Sequence, residues 1–300
     1  MNTLPYIGVD GGGTHARAVV VDEEGRELAR RVGPAGLVDP RDPGSAAAVV
    51  AQLVRDALLD AGAPSGAALC CGLAGAGRAH EREAVRIGLT LEHVAERVGV
   101  VGDAEAAMAD AFPDSAGVLV VAGTGSIAWA RTRGGEPVRV GGWGQLLGDE
   151  GSGYDIALAA LRAVARAADG RTAPTTLTGI LLPAIRLRDP DDLIAWTASA
   201  TKAQIAALAP AVLTCGERGD PAAAEIRSRA IDALVQMAAA AADRTGADDL
   251  AFALTGGLLA GNGPLRQPVR DAILRKLPSA RFTDRPVDAA LGAARLARSL

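Results

Sequence analysis

The sequence predicts an α/β protein made of two mixed-sheet units, and three observations carry that expectation. The chain opens with apolar, β-branched runs at Tyr6 to Asp10, His15 to Asp22 and Arg26 to Val32, parted by Gly11-Gly12-Gly13 and Glu23-Glu24-Gly25. Such spacing reads as an antiparallel meander. Strand–helix–strand units follow, which add parallel strands and cover the faces of the sheet with helices. The opening then recurs: Gly117 to Ala122, the turn Gly123-Thr124-Gly125, Ser126 to Thr132, the turn Arg133-Gly134-Gly135-Glu136 and a strand around Val138 to Val140. A repeated order of strand, glycine turn with threonine, strand, glycine turn and strand points to an internal duplication.

The remaining elements follow in order. Ser45 to Ala61 reads as a helix, because Val49, Leu53, Ala57 and Leu58 repeat at helical spacing and Gly62 stops it. Ala67 to Leu73 and Val98 to Gly102 are short apolar runs bounded by glycine, as buried strands are, with a helical stretch at Glu81 to Leu89 between them. Beyond Gly151 the chain is mostly helical, with an amphipathic helix at Ser152 to Ala168 and a long alanine-rich one at Pro221 to Thr245. Leu250 to Thr255 returns to a strand ended by Gly256-Gly257, and helices at Pro264 to Lys276 and Pro286 to Arg298 close the chain. The boundary is expected at Pro113-Asp114-Ser115, giving lobes at 1–113 and 114–300, with the helix over 286–300 able to pack back on the first.

Composition excludes several classes. The 300 residues are 49% hydrophobic and 22% charged, an ordinary globular balance rather than a disordered one. A net charge of −4 offers no basic footprint for nucleic acid or an anionic membrane. The apolar stretches, Ala238 to Ala242 among them, fall far short of the roughly 20 residues a membrane span needs. The N-terminus reaches an acidic, glycine-rich turn within ten residues and lacks a signal pattern. Cys70, Cys71 and Cys215 include a vicinal pair, which favours reduced thiols and a cytoplasmic protein. His15, His80 and His93 show no zinc spacing with them.

Five segments carry candidate chemistry. Asp10-Gly11-Gly12-Gly13-Thr14 lies between two strands, where bare backbone amides can cradle an anion, a threonine hydroxyl can add a donor, and Asp10 can hold Mg²⁺ through water. A simple hairpin turn is the competing reading. Gly123-Thr124-Gly125-Ser126 repeats that chemistry at the equivalent place, and two such turns could hold a polyphosphate from both sides. Neither turn has the lysine and helix of a P-loop or the dinucleotide GxGxxG pattern. Asp103, in Val100-Val101-Gly102-Asp103-Ala104-Glu105, stands where a strand gives way to a helix. It is either a helix cap or a general base for a hydroxyl attacking a γ-phosphate.

The stretch Gly141 to Gly153 carries six glycines in 13 residues, with Trp143, Asp149 and Glu150 as its distinctive side chains. Such a loop suits a polyhydroxylated ligand; alternatively Asp149 and Glu150 serve the positive end of the helix starting near Ser152, and Trp143 is core. Finally, Gly256-Gly257 ends a strand and would let a flat ring lie against the backbone, or is a plain strand-to-helix turn.

Taken together, DGGGT, GTGS and GGWG…GDEGS, in this order between Tyr6 and Gly292, resemble the actin/Hsp70/sugar-kinase superfamily. More narrowly they resemble the BadF/BadG/BcrA/BcrD ATPase family and its N-acetylglucosamine and glucosamine kinase branch. The resemblance implies two ribonuclease-H-like lobes with ATP and Mg²⁺ in an interlobe cleft. It implies that Thr14 and Thr124 contact the nucleotide phosphates and that Gly256-Gly257 lies beside the adenosine. Asp103 matches the catalytic base and sugar ligand, and Gly142, Trp143 and Asp149 match the segment that holds the sugar. The implied activity is phosphorylation of an amino-sugar hydroxyl, at C6, by a homodimer. One departure stands out: the asparagine that these kinases commonly carry after the third strand is missing from Gly33-Pro34-Ala35-Gly36-Leu37-Val38-Asp39. The cysteine-rich zinc motif of ROK sugar kinases is also missing. Competing classes are an ATP-driven activator of a 2-hydroxyacyl-CoA dehydratase or reductase, which needs cysteines for an iron–sulfur cluster, and a non-catalytic nucleotide-binding regulator.

Overall fold

The computed structural model describes residues 4–13, 15–39, 41–132, 134–246 and 250–300, so Arg133 of the second expected turn lies outside it. In chain order the elements begin with β1 (Tyr6–Gly11), β2 (Ala16–Val21), β3 (Glu27–Gly33), α1 (Ser45–Asp60), β4 (Gly66–Leu73), α2 (Ala79–Leu91), β5 (Ala95–Gly102) and α3 (Asp103–Ala111). Next come β6 (Gly117–Ala122), β7 (Ser126–Arg131), β8 (Pro137–Gly141) and α4 (Gly153–Ala168). Four short helices follow, α5 (Leu177–Ala184), α6 (Leu193–Ser199), α7 (Lys202–Ala206) and α8 (Ala209–Glu217). The chain ends with α9 (Pro221–Asp243), β9 (Ala251–Thr255), α10 (Arg266–Lys276), β10 (Arg281–Phe282) and α11 (Ala289–Ala297). Two compact units result: Met1–Ser115 with Val287–Leu300, and Ala116–Pro286.

The expected duplication is present in the topology. The first sheet runs β3-β2-β1-β4-β5 and the second β8-β7-β6-β9-β10. In each, the first three strands pair antiparallel and the last two join in parallel. This is a mixed α/β architecture of the actin-like kind.

In the first unit, period-two alternation splits the strands between two cores. Ala18 and Val20 of β2, with Ile7, Val9, Leu69 and Leu73, pack under Val50, Leu53, Val54 and Ala57 of α1. Val19 and Val21 face the other way, onto Ala290 and Ala294 of α11. The apolar stripe of α1 is thus one residue away from part of the expected one, since Val49 is exposed and Val50 is buried. Gly8 and Gly292 let α11 settle at backbone distance. A Cβ on Gly8 would lie 2.0 Å from the Ala290 carbonyl, and one on Gly292 2.0 Å from that of Ala106 in α3. Edge strand β3 is charged rather than apolar, with Arg30 paired to Glu27 and Asp288 and Arg31 to Asp60, which blunts edge-to-edge pairing.

In the second unit, Val118 and Val120 of β6 and Phe252 and Leu254 of β9 pack against Ile156, Leu161 and Val164 of α4 and Leu234 of α9. Helix α9 starts cleanly: Asp220 accepts the Ala223 N–H at 3.0 Å and Pro221 fills the first helical position. Among the described residues no helix is long and apolar enough to cross a membrane.

Candidate active site

The first unit brings Asp10 and Asp103 together. Asp10 is the penultimate residue of β1, in register with Gly72 of β4, and β5 ends beside β4 just before Asp103. Gly72 permits the approach of α3, because a Cβ there would meet that of Ala106 at 2.4 Å. The Asp10 carboxyl is pushed up to about 6, first by burial and next by the negative charge of Asp103. Asp288 adds to this, while Arg17, 3.8 Å away, opposes it. Helix α3 is capped by Gly102 rather than by Asp103, whose Oδ1 accepts the Ala104 N–H at 2.8 Å. Asp103 therefore stands in the first turn, against the positive end of the helix.

The turn after Asp10 is closed by the Gly12 N–H donating to the His15 carbonyl at 3.1 Å; Thr14 lies outside the described residues. Gly13 meets nothing within 4 Å of where a Cβ would sit, so packing among the described residues gives no reason for its glycine. The loop at 33–39 lies over this turn, held by Gly36 N–H to the Gly12 carbonyl at 3.2 Å and Val38 N–H to that of Ala74 at 2.9 Å. The donor set fits a magnesium ion. Mg²⁺ characteristically takes one or two carboxylates and completes its shell with water and phosphate oxygens. A buried carboxylate that resists ionisation beside a second one would be relieved by such a cation. Among the described residues no cluster of three metal-ligating side chains forms, so a cage made of protein alone is not what this site offers.

In the second unit the Gly123–Ser126 turn and the Gly256-Gly257 turn sit side by side, at the C-terminal ends of the parallel strands β6 and β9. Ligands of α/β sheets gather at such ends. Gly256 has φ 89°, and a Cβ on it would lie 2.4 Å from the Ala122 carbonyl, so only glycine serves. That carbonyl accepts the Leu258 N–H at 3.0 Å, which ties the two turns together. Gly257 has no such need, since open space surrounds it. The carbonyls of Gly123 and Thr124 accept the Gly153 and Tyr154 N–H groups of α4, at 2.8 and 3.3 Å. Orphan donors of a helix start thus anchor the turn. The N–H groups of Thr124 and Gly125 take no hydrogen bond among the described residues. Two unspent amides in a glycine turn are what an anion requires.

Asp149 and Trp143 resolve differently from each other. Trp143 is 65% exposed, with the Arg139 guanidinium 5.3 Å above its ring, so it is not core. Gly142 abuts Ile127, whose side chain would meet a Cβ at 2.6 Å. Asp149 is buried, with φ 62°, an uncommon conformation for a residue bearing a side chain. Its Oδ1 accepts the Ser126 N–H at 3.1 Å and its Oδ2 meets Lys202 Nζ at 2.6 Å. The start of α4 belongs instead to Ser152, which caps it, and to Asp155, which takes the Gly151 N–H. Glu150 is exposed, and its carbonyl accepts the Ser126 hydroxyl.

A model of the BadF/BadG/BcrA/BcrD ATPase family matches residues 7–297. The chain belongs to this family. Within reach of this BadF/BadG/BcrA/BcrD ATPase family member are an N-acetylmuramic acid/N-acetylglucosamine kinase of Clostridium acetobutylicum, 30% identical over 98% of both chains, and an N-acetyl-D-glucosamine kinase of Dictyostelium discoideum, 30% identical over 97% of both. A solved structure from Chromobacterium violaceum, classed as a candidate N-acetylglucosamine kinase, superposes with a TM-score of 0.80 at 29% identity over 99% of each chain.

Lys202 is the site residue that sequence reasoning passed over. Its pairing with Asp149 spans 53 positions and depends on α7 packing beside α4, which no local pattern announces. A faint signal exists: of 31 basic residues only Lys202 and Lys276 are lysine. The cysteines, by contrast, are buried thiols. Burial pushes Cys70 up to about 12 and Cys71 well above its ordinary value, while Cys215 lies 2.9 Å from the Thr176 hydroxyl.

Proposed function

We propose that this protein is an ATP-dependent kinase that phosphorylates a hydroxyl, the one at C6, of an amino sugar such as N-acetylglucosamine or glucosamine. The observation that carries this reading is the pair of unspent amides at Thr124 and Gly125, set beside the Gly256-Gly257 turn. The kinases named among its relatives support the choice of acceptor. In this reading Gly11, Gly12, Gly13, Thr14, Gly123, Thr124, Gly125 and Ser126 cradle the phosphates, and Gly256 and Gly257 flank the adenosine. Magnesium, held through Asp10, would neutralise charge on the phosphates.

Asp103 takes the proton as the sugar oxygen forms its bond to the γ-phosphorus and the bond to the β-phosphate oxygen breaks, leaving ADP. Gly142, Trp143 and Asp149 hold the sugar. Trp143 offers an exposed ring face, and Asp149, with one bond on each oxygen, keeps acceptor capacity for a hydroxyl. A homodimer in the cytoplasm is the setting we infer. The activator reading asks for cysteines free to ligate a cluster, and thiols buried with raised pKa are poor ligands.

The test is Asp103→Asn. ATP affinity measured by calorimetry should stay within about threefold of wild type, while turnover with amino sugar falls about 10²–10⁴-fold. Full turnover in the variant would remove Asp103 from the mechanism.

A further inference from the structure

A carboxylate buried behind a phosphate-binding turn is an electrostatic problem, and Asp149 is such a carboxylate. Its side chain is 6% exposed, and its Oδ1 sits on the Ser126 N–H, within the turn itself. The approach is so close that a Cβ on Gly125 would lie 2.6 Å from Oδ1. Left alone, that negative charge would oppose any phosphate drawn to the amides of Thr124 and Gly125. Lys202 answers it. Its ammonium meets Asp149 Oδ2 at 2.6 Å and would lie 3.2 Å from the same Gly125 Cβ, so both charges press on one glycine. The lysine is 33% exposed, and its backbone is fixed by the Thr201–Gln204 capping box that starts α7. One carboxylate thus bridges a turn amide and an ammonium, from a residue whose backbone is left-handed at φ 62°.

We propose that Lys202 is a positioning residue of the nucleotide site, which cancels the charge of Asp149 and holds it against Ser126 so that the turn can accept phosphate. The proposal rests on the nucleotide reading above. It assigns Lys202 no contact with the sugar and no share in proton transfer. It also makes the need for Lys202 conditional: the lysine matters only while residue 149 is an anion.

Calorimetric binding of ATP and of AMP, without sugar, separates the cases. Wild-type binding of ATP is measured first and tests the nucleotide reading by itself; no binding there would end both that reading and this one. With binding in hand, Lys202→Met should lower ATP affinity about tenfold or more, since an uncompensated charge then stands within a few ångströms of the turn. AMP, which lacks the terminal phosphates, should lose less than about threefold. The double variant Asp149→Asn with Lys202→Met should bind ATP within about threefold of Asp149→Asn alone, because the amide keeps an acceptor for Ser126 without the charge. That comparison also serves if Lys202→Met by itself folds poorly. An unchanged Lys202→Met, an equal loss for AMP, or a further tenfold loss in the double variant would each overturn the proposal.

Discussion

Asp10 holds its charge at a cost, and the cost has a measurable sign. Its folded pKa of about 6 stands above the ordinary 3.8, so the folded protein binds the extra proton between those values. Stability therefore falls as pH rises from about 4 to about 6, and the penalty is complete above that. The size is at most about 3 kcal/mol, from the shift in Asp10. Asp10→Asn should accordingly stabilise the protein at pH 8, by about 1–3 kcal/mol in a denaturant titration, with the gain vanishing toward pH 4. It should also abolish turnover, the trade that a charged site residue implies. A gain over wild type at pH 8 no larger than the gain at pH 4 would contradict the electrostatic account. At this scale the sequence was legible where a motif sits on a strand end, as Asp10 and Asp103 do. It was silent on the joint of Asp149, Ser126 and Lys202, because partners 23 and 53 positions apart meet only through tertiary packing.

At the scale of elements, two glycines separate support from function. Gly8 touches the backbone of α11, where no side chain can yield, so Gly8→Ala should cost about 3 kcal/mol or more, or prevent folding. A Cβ on Gly125 would instead meet first the ends of two side chains, Asp149 and Lys202. Gly125→Ala should leave the melting temperature within a few degrees, about 1 kcal/mol, yet weaken ATP binding. Equal loss of stability in both variants would mean that the second turn is scaffold. Most strands and long helices are readable to within one or two residues, since alternation and helical spacing mark them, although β5 starts three residues before the expected Val98 and α11 three after the expected Pro286. The short helices α5 to α8 and the two-residue β10 were not resolved one by one, because pieces that short carry too few periods. Of the two roles open to Asp103, the cap falls to Gly102, one position earlier, as helix starts commonly shift.

At the scale of the molecule, the duplication legible in two glycine turns is realised as one strand order used twice. The sequence raises the return of the C-terminal helix to the first unit but not its contacts, in which Ala297 closes over Ala68 and Cys70. A chain ended at Pro286 should therefore expose Cys70 to thiol reagents at once, while Cys71, on the opposite face of the sheet, stays shielded by α1 and α2 if the rest of that unit holds. Protection of Cys70 in the shortened chain would show that α11 is dispensable. The account as a whole stands on sugar-dependent phosphoryl transfer. Its most direct test is ADP release with ATP and Mg²⁺ across glucosamine, N-acetylglucosamine, N-acetylmannosamine, N-acetylmuramic acid, glucose and buffer alone. We predict turnover stimulated strongly by at least one amino sugar over glucose and buffer; ATP hydrolysis at one rate whatever sugar is present would contradict it.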